Sequence, residues 1–245
     1  GGTALYKALG DMIRFSEDID LILDWNTISN GNEIFKSSRN QQNIRNEQLL
    51  EDSKVFIANI LKEKIEKVVG DICQVKIDSD DGNCLQIVYP KGISGSYLLP
   101  YIKLEIGALA AWLPNDTYSI KPYIEGVADP LRFKEIKVPT IKAERTFWEK
   151  VTILHREAYR PEDKTFPTRY SRHYYDLYCM ANSPVKDAAF ANIELLEKVV
   201  LFKEKFYRCP WARYEDAKID TMKLMPPERN LQVLKDDYEH MQNMI

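Results

Sequence analysis

The stretch RFSEDIDLILDWN, residues 14–26, constrains the fold more than any other part of the chain. Asp18, Asp20 and Asp24 share one parity, while Ile19, Leu21 and Leu23 share the other. A period of two belongs to an extended strand, whose successive side chains point to opposite faces. The apolar row needs cover from another element. The acidic row sets Asp18 and Asp20 on one face, roughly 6.5–7 Å apart along the chain. Carboxylates so placed are costly to bury unless something positive sits between them. The stretch therefore reads either as the solvated face of an edge strand or as half of a cation site.

The rest of the chain sorts into blocks. Thr3 suits the N-cap of a short helix through Leu9, with Gly10 as its stop. Residues 27–46 are rich in Asn, Ser and Gln and read as a loop or mobile insertion. Between Gln48 and Val69 apolar residues recur at helical spacing, closed by Gly70. Strands are expected at 72–78, 84–89, 97–106 and 119–125, separated by turn signals such as DDGN and PKGISGS. Beyond Pro139, helices are expected at 141–158, 169–181, 187–206 and 226–243, with no strand among them. The implied class is α+β, with a mixed sheet-and-helix domain over 1–138 and a helical domain over 139–245.

Charge narrows the function classes. A net charge of −3 gives the whole chain no nucleic-acid-binding signature. Residues 1–127 hold 13 Lys and Arg against 18 Asp and Glu, and the remainder holds 21 against 19. An acidic half suits metal binding, and a mildly basic half suits phosphate. Cys73, Cys84, Cys179 and Cys209 form no CxxC pair, so free thiols in a reducing, cytoplasmic compartment are expected. No apolar run approaches the roughly 20 residues that span a bilayer, so no membrane partner is expected. No signal peptide opens the chain. It begins at Gly1-Gly2-Thr3 without Met and in mid-pattern, so residues are expected upstream.

The candidate site starts from Asp18 and Asp20, which could grip one divalent cation or two spaced about 3.5–4 Å apart. Hard cations such as Mg²⁺ or Mn²⁺ prefer oxygen ligands. YIKLEIGAL supplies a third acid, Glu105, flanked by Leu104 and Ile106; the alternative is that Glu105 pairs with Lys103 or Lys121. Upstream, Gly1, Gly2 and Thr3 open a helix whose free backbone N–H groups and positive dipole end make a phosphate seat. Arg14 and Ser16, just before the acidic strand, could also reach phosphate. A phosphate seat, a paired-Asp strand and a lone acid on a later strand form the layout that metal-assisted nucleotidyl transfer needs.

These residues resemble the AbiEii/AbiGii-type toxins, a branch of the polymerase-β-like nucleotidyltransferase superfamily. GGTALYK matches the glycine pair at a helix start, and RFSEDIDL matches the DxD strand. KLEI places Glu105 where the superfamily commonly has Asp. AERTFWEKVTILHRE is similar to the family's third motif and puts Lys150 at its lysine. RHYYDL is similar to the fourth motif, RDxYDL, with Arg172 and Asp176 matching and His173 standing where Asp is often found. The resemblance implies a nucleotidyltransferase-type mixed sheet with flanking helices, followed by a C-terminal helical domain closing the nucleotide cleft. It implies transfer of NMP from an NTP to an acceptor, with an RNA such as tRNA leading. The implied setting is a toxin of a toxin–antitoxin or abortive-infection system with a co-encoded antitoxin. Catalytic roles fall to Asp18, Asp20, Glu105, Lys150 and Asp176, metal binding to Asp18, Asp20 and Glu105, and nucleotide binding to Gly1, Gly2, Thr3, Arg14, Ser16 and Lys150.

Each of these residues also has an ordinary reading. Lys150 could be an exposed helix lysine paired with an acid such as Glu157, and Asp176 could anchor Arg172 or Arg169. Phe147, Trp148 and Leu154 fit a core at helical spacing. Tyr170, Tyr174, Tyr175 and Tyr178 fit helix packing better than base stacking. His155 and His173 raise a HEPN-like ribonuclease as a rival, although the Arg169-to-His173 spacing is short and no second copy exists. A catalytically weak scaffold that binds only nucleotide or a partner is the other alternative. Against kinase or P-loop chemistry, the chain has no GxxxxGK[ST] stretch and no HRD loop. The cations Lys142, Arg145, Lys150, Arg156, Arg160, Lys164, Arg169 and Arg172 could hold an RNA end.

Overall fold

A computed structural model describes residues 2–9, 16, 18–29, 31–90, 99–120 and 136–242. The chain divides into two compact units, one spanning Ser16–Trp112 with Gly1, the other combining Gly2–Phe15 with Leu113–Ile245.

The first unit is a four-stranded mixed sheet covered on one face by helix. Its strands are β1 (Asp18–Ile22), β2 (Gln74–Ile77), β3 (Cys84–Val88) and β4 (Tyr101–Gly107), in the order β1-β4-β3-β2. β1 runs parallel to β4, and the other pairs are antiparallel. In the apolar row of β1 and the residue after it, Ile19 and Leu23 turn to the core while Leu21 stays exposed. Ile19 packs with Val75, Leu85, Leu104 and Ile106 against Ile57, Leu61 and Ile65. The acidic row is left on the other face. Ile57, Leu61 and Ile65 lie on a helical run made of α3 (Arg39–Phe56), a π-helical segment Ile57–Leu61, and α4 (Lys62–Val69). Gly70 ends the run at φ +57°, a conformation that suits a residue with no Cβ.

The expected loop over 27–46 is a correction. A short α2 (Trp25–Ile28) is capped by the Asp24 side chain, and α3 already begins at Arg39 behind Ser38, whose Oγ accepts from the Gln41 N–H. The first half of α3 carries little apolar signal because it turns Gln42 and Arg45 inward rather than aliphatic residues. Gln42 receives the Lys36 N–H at 2.8 Å and donates to the Ile34 carbonyl at 3.1 Å, so the buried amide is satisfied.

In the second unit, α1 (Gly2–Leu9) lies against a hairpin of β5 (Asn115–Ile120) and β6 (Ile136–Ile141). Thr3 lies inside α1 rather than capping it, and Gly10 lies outside the described residues. β6 passes straight through Pro139, contrary to the expectation of no strand there. In a two-stranded ribbon both strands are edges, where proline's missing N–H need not leave a ladder bond broken. Then follow α5 (Ala143–Ala158), α6 (Ser171–Ala181), α7 (Pro184–Ala191), α8 (Glu194–Phe206) and α9 (Leu231–Met241). The single helix expected over 187–206 is two helices, α7 and α8. Helix α5 is the hub, packing on α6, α7 and α8. Leu5, Phe147, Trp148, Val151, Leu154, Leu177 and Met180 share its core, which confirms Phe147, Trp148 and Leu154 as packing residues.

Candidate active site

Parallel pairing of β1 with β4 brings the three acids onto one surface. The register sets Asp18 opposite Lys103 and Asp20 opposite Glu105, and these four side chains share the face turned away from the helical cover. Adjacent strands lie about 4.8 Å apart, so Asp20 and Glu105 are cross-strand neighbours. The face is open: Asp20 is exposed, and Asp18 and Glu105 are part-exposed.

Lys103 completes the face. Its ammonium donates to Glu105 Oε1 at 2.8 Å. The bond to Glu105 raises the lysine's pKa; burial opposes it, and Asp18 adds a smaller raising effect. The pairing of Glu105 with Lys103, foreseen as an alternative, is therefore present. It does not remove Glu105 from the acidic face; it puts a cation among the carboxylates. Cys84 lies opposite Glu105 on β3. Burial pushes its thiol up to about 12, with a bond to Asp81 as a further cause, so it stays protonated. The exposed ligands on this face are thus carboxylate oxygens, the donor set of a hard cation. Among the described residues no group of three or more His, Cys, Asp or Glu is arranged to hold a metal ion.

Ser16 Oγ lies 3.5 Å from the Asp18 carbonyl, a weak local contact that fits a turn residue. Arg14 and Gly1 lie outside the described residues. Gly2 and Thr3 form the first turn of α1, which contains no acidic residue, so the dipole's positive end has no carboxylate set against it within that turn.

Lys150 and Asp176 do come together, inside the second unit. Lys150 Nζ is 2.9 Å from Asp176 Oδ2 and 2.8 Å from His173 Nδ1. The lysine is 8% exposed and the aspartate fully buried. The reading of Lys150 as a surface lysine paired with Glu157 is therefore overturned. Glu157 is buried between Arg156 and Arg160 instead. The start of α6 is held by Asp237 on α9, whose carboxylate receives the Arg169 N–H at 2.7 Å and the Ser171 N–H at 2.8 Å. A carboxylate at a helix N-terminus is favourably placed for both hydrogen bonding and the dipole. Sequence reasoning named Lys103 only as a possible partner of Glu105, with no place in the site, and missed Asp237. Lys103 shares the parity of Glu105 two residues on and was legible from period two, whereas Asp237 is 61 positions from Asp176 and had no local signal.

The histidines are accounted for by hydrogen bonds inside this unit. His155 is fully buried, receiving the Lys223 N–H on Nδ1 at 3.0 Å, so its Nε2–H donates to the Arg213 carbonyl at 3.0 Å. The expected basic stretch is largely engaged as well. Arg145 bonds Glu149 and the Leu113 carbonyl, Arg156 and Arg160 hold Glu157, and Lys150 holds Asp176. These cations serve as internal struts of the helical core. Tyr174 and Tyr175 pack on the core as expected, while Tyr178 is exposed.

Three comparisons bear on these residues. A family profile described as nucleotidyl transferase AbiEii toxin, type IV TA system, matches residues 1–245. No curated protein and no solved structure matches the chain. No helix among the described residues is long and apolar enough to cross a membrane.

Proposed function

Because the chain belongs to the AbiEii nucleotidyl transferase toxin family of type IV toxin–antitoxin systems, we propose that it transfers NMP from an NTP to an RNA acceptor, with tRNA first in line, in a metal-dependent reaction. The family itself supplies the nucleotidyl transferase activity, the NTP substrate and the antitoxin partner. The observation that carries the metal-dependent reading is the register of β1 on β4, which gathers Asp18, Asp20 and Glu105 on one exposed face.

In this reading Asp18 and Asp20 hold Mg²⁺ or Mn²⁺, with Glu105 completing the set once it leaves Lys103. A bound divalent ion supplies charge stabilisation of the attacking and leaving oxygens in an in-line displacement. In the same reading Glu105 takes the proton from an acceptor hydroxyl as its oxygen attacks the α-phosphorus. The bond from the α-phosphorus to the bridging oxygen breaks, and pyrophosphate leaves. Lys150 balances charge on the triphosphate, with Asp176 fixing the ammonium. Gly2 and Thr3, in the same unit as Lys150, offer backbone N–H groups to phosphate; Gly1 joins them by resemblance, and Arg14 and Ser16 by their position just before the acidic strand.

The test uses α-labelled and γ-labelled NTP with total tRNA. Label entering RNA from the α-position alone is the expected result. Transfer of γ-label to RNA or protein would make the enzyme a kinase and end this reading. Cleaved tRNA without label would favour the ribonuclease alternative, and metal-independent NTP binding without turnover would favour the scaffold.

A further inference from the structure

We infer that His173 is a positioning residue for Lys150, holding the ammonium through a neutral imidazole. The inference rests on the phosphate-binding role given to Lys150 above, and it concerns a position where the family resemblance offered no role.

A lysine ammonium has three donors and no acceptor. With Lys150 Nζ 2.8 Å from His173 Nδ1, the ring nitrogen must be the acceptor, so the ring proton sits on Nε2 and the imidazole is uncharged. An imidazolium in the same place would present a second donor and a second positive charge to Lys150. His173 and Asp176 are three residues apart on α6, hence on one helix face, and both reach the same ammonium from α5. Two acceptors fix the direction of a group that a single carboxylate would leave free to swivel. One is charged and one neutral, so the second point of attachment adds no negative charge of its own beside the ammonium. That matters where a polyanion is to be bound.

The ring is itself held in place. Its backbone N–H donates to the Tyr170 carbonyl at 3.0 Å. The Tyr170 ring meets the imidazole edge-on, with centroids 4.8 Å apart and planes at 88°. Arg156 Nη2 donates to the Tyr170 hydroxyl at 3.0 Å, so α5 fixes the tyrosine that fixes the histidine. Such a chain of contacts makes sense if the Nδ1 lone pair has to point at Lys150.

The experiment compares the intact chain with His173→Leu and His173→Asn. Leucine removes the acceptor, whereas asparagine sets its amide oxygen near the place of Nδ1. Nitrogen-15 spectra of the wild-type imidazole should show an unprotonated Nδ1 and a protonated Nε2 at neutral pH. Calorimetric titration with inorganic tripolyphosphate should show about tenfold weaker binding for His173→Leu, the loss expected of one charge-assisted hydrogen bond. His173→Asn should bind within about threefold of wild type, with unfolding midpoints for both variants near that of wild type. A protonated Nδ1 in the wild-type protein, or tripolyphosphate binding unchanged in His173→Leu, would overturn the inference. So would equal impairment of His173→Asn and His173→Leu. Should wild type fail to bind tripolyphosphate at all, the phosphate role of Lys150 falls, and the nitrogen-15 spectrum alone decides whether His173 holds the lysine.

Discussion

The two charged clusters solve opposite physical problems. On the sheet of the first unit, Asp18, Asp20 and Glu105 face outward, with Lys103 held among them by a 2.8 Å bond. In the second unit, Asp176 is fully buried and Lys150 nearly so, locked together at 2.9 Å. An exposed set of like charges is held apart by water and salt and can rearrange around a cation. A buried pair has already lost its hydration and keeps one geometry, because breaking it strands a charge in a low-dielectric interior. The difference separates a loading surface from a fixed electrostatic post. The same substitution, an acid to its amide, should therefore spare folding in one unit and damage it in the other.

The largest effect is expected on the sheet face. Asp18→Asn and Asp20→Asn should each lower nucleotide transfer at least about a thousandfold, equivalent to about 4 kcal/mol of barrier. Their unfolding free energies should stay within about 0.5 kcal/mol of wild type or rise slightly, since like charges are relieved. Denaturant unfolding beside the labelled-NTP assay checks both halves, and a loss of fold would place the carboxylates with the buried pair. Asp176→Asn should differ by also losing about 3–5 kcal/mol of stability through stranding the Lys150 ammonium. Urea midpoints read that loss, and a variant as stable as wild type would show that the pair is not the strut its burial implies.

A third test sharpens the cost of burying cations near α5. Lys203 on α8 has its pKa lowered to about 8, chiefly by burial, with Glu149 opposing and Arg156, Lys150 and Arg145 adding to the depression. The folded chain thus releases this proton more readily than the unfolded chain, whose lysine titrates near the ordinary 10.5. Below pH 8 both states carry the charge, and the folded state bears its full cost. As pH rises from about 8 toward 10.5, the unfolded state binds more protons and stability increases from this group. Lys203→Met should stabilise the protein at pH 7 by about 1–2 kcal/mol, after discount for partial exposure, with the advantage shrinking by pH 10. Thermal midpoints at the two pH values decide it.

The smallest effect concerns Lys103. Replacing it by Met frees Glu105 and removes a resident positive charge from the carboxylate face. Mn²⁺ affinity, read by paramagnetic relaxation or calorimetry, should rise by a fewfold, about 0.5–1 kcal/mol, the scale of a part-exposed ion pair. Weaker Mn²⁺ binding in Lys103→Met would mean that the lysine organises the face rather than competing for it.

What the sequence disclosed follows from which interactions are local. Period-two alternation in DIDLI gave β1 and its acidic face, and KLEI carried the same parity into β4, but no spacing could state that β1 and β4 are neighbours in parallel register. The Lys150–Asp176 contact was suggested by motif and not by pattern, because the two residues are 26 positions apart on successive helices joined by a loop. Residues 39–46 were lost to the reading because α3 turns Gln42 and Arg45 inward, and a helix with a polar buried side shows no apolar stripe. β6 was missed because proline is a poor strand residue except at an edge, and edge status is a tertiary fact.

The central claim is that the sheet-face carboxylates make nucleotide handling depend on a divalent ion. It is tested most directly by titrating NTP into wild type, Asp18→Asn and Asp20→Asn, each with and without Mg²⁺. The account predicts that Mg²⁺ strengthens NTP binding to wild type by at least about tenfold and that both variants lose this increment while retaining the metal-free affinity. An equal Mg²⁺ increment in all three proteins would contradict it.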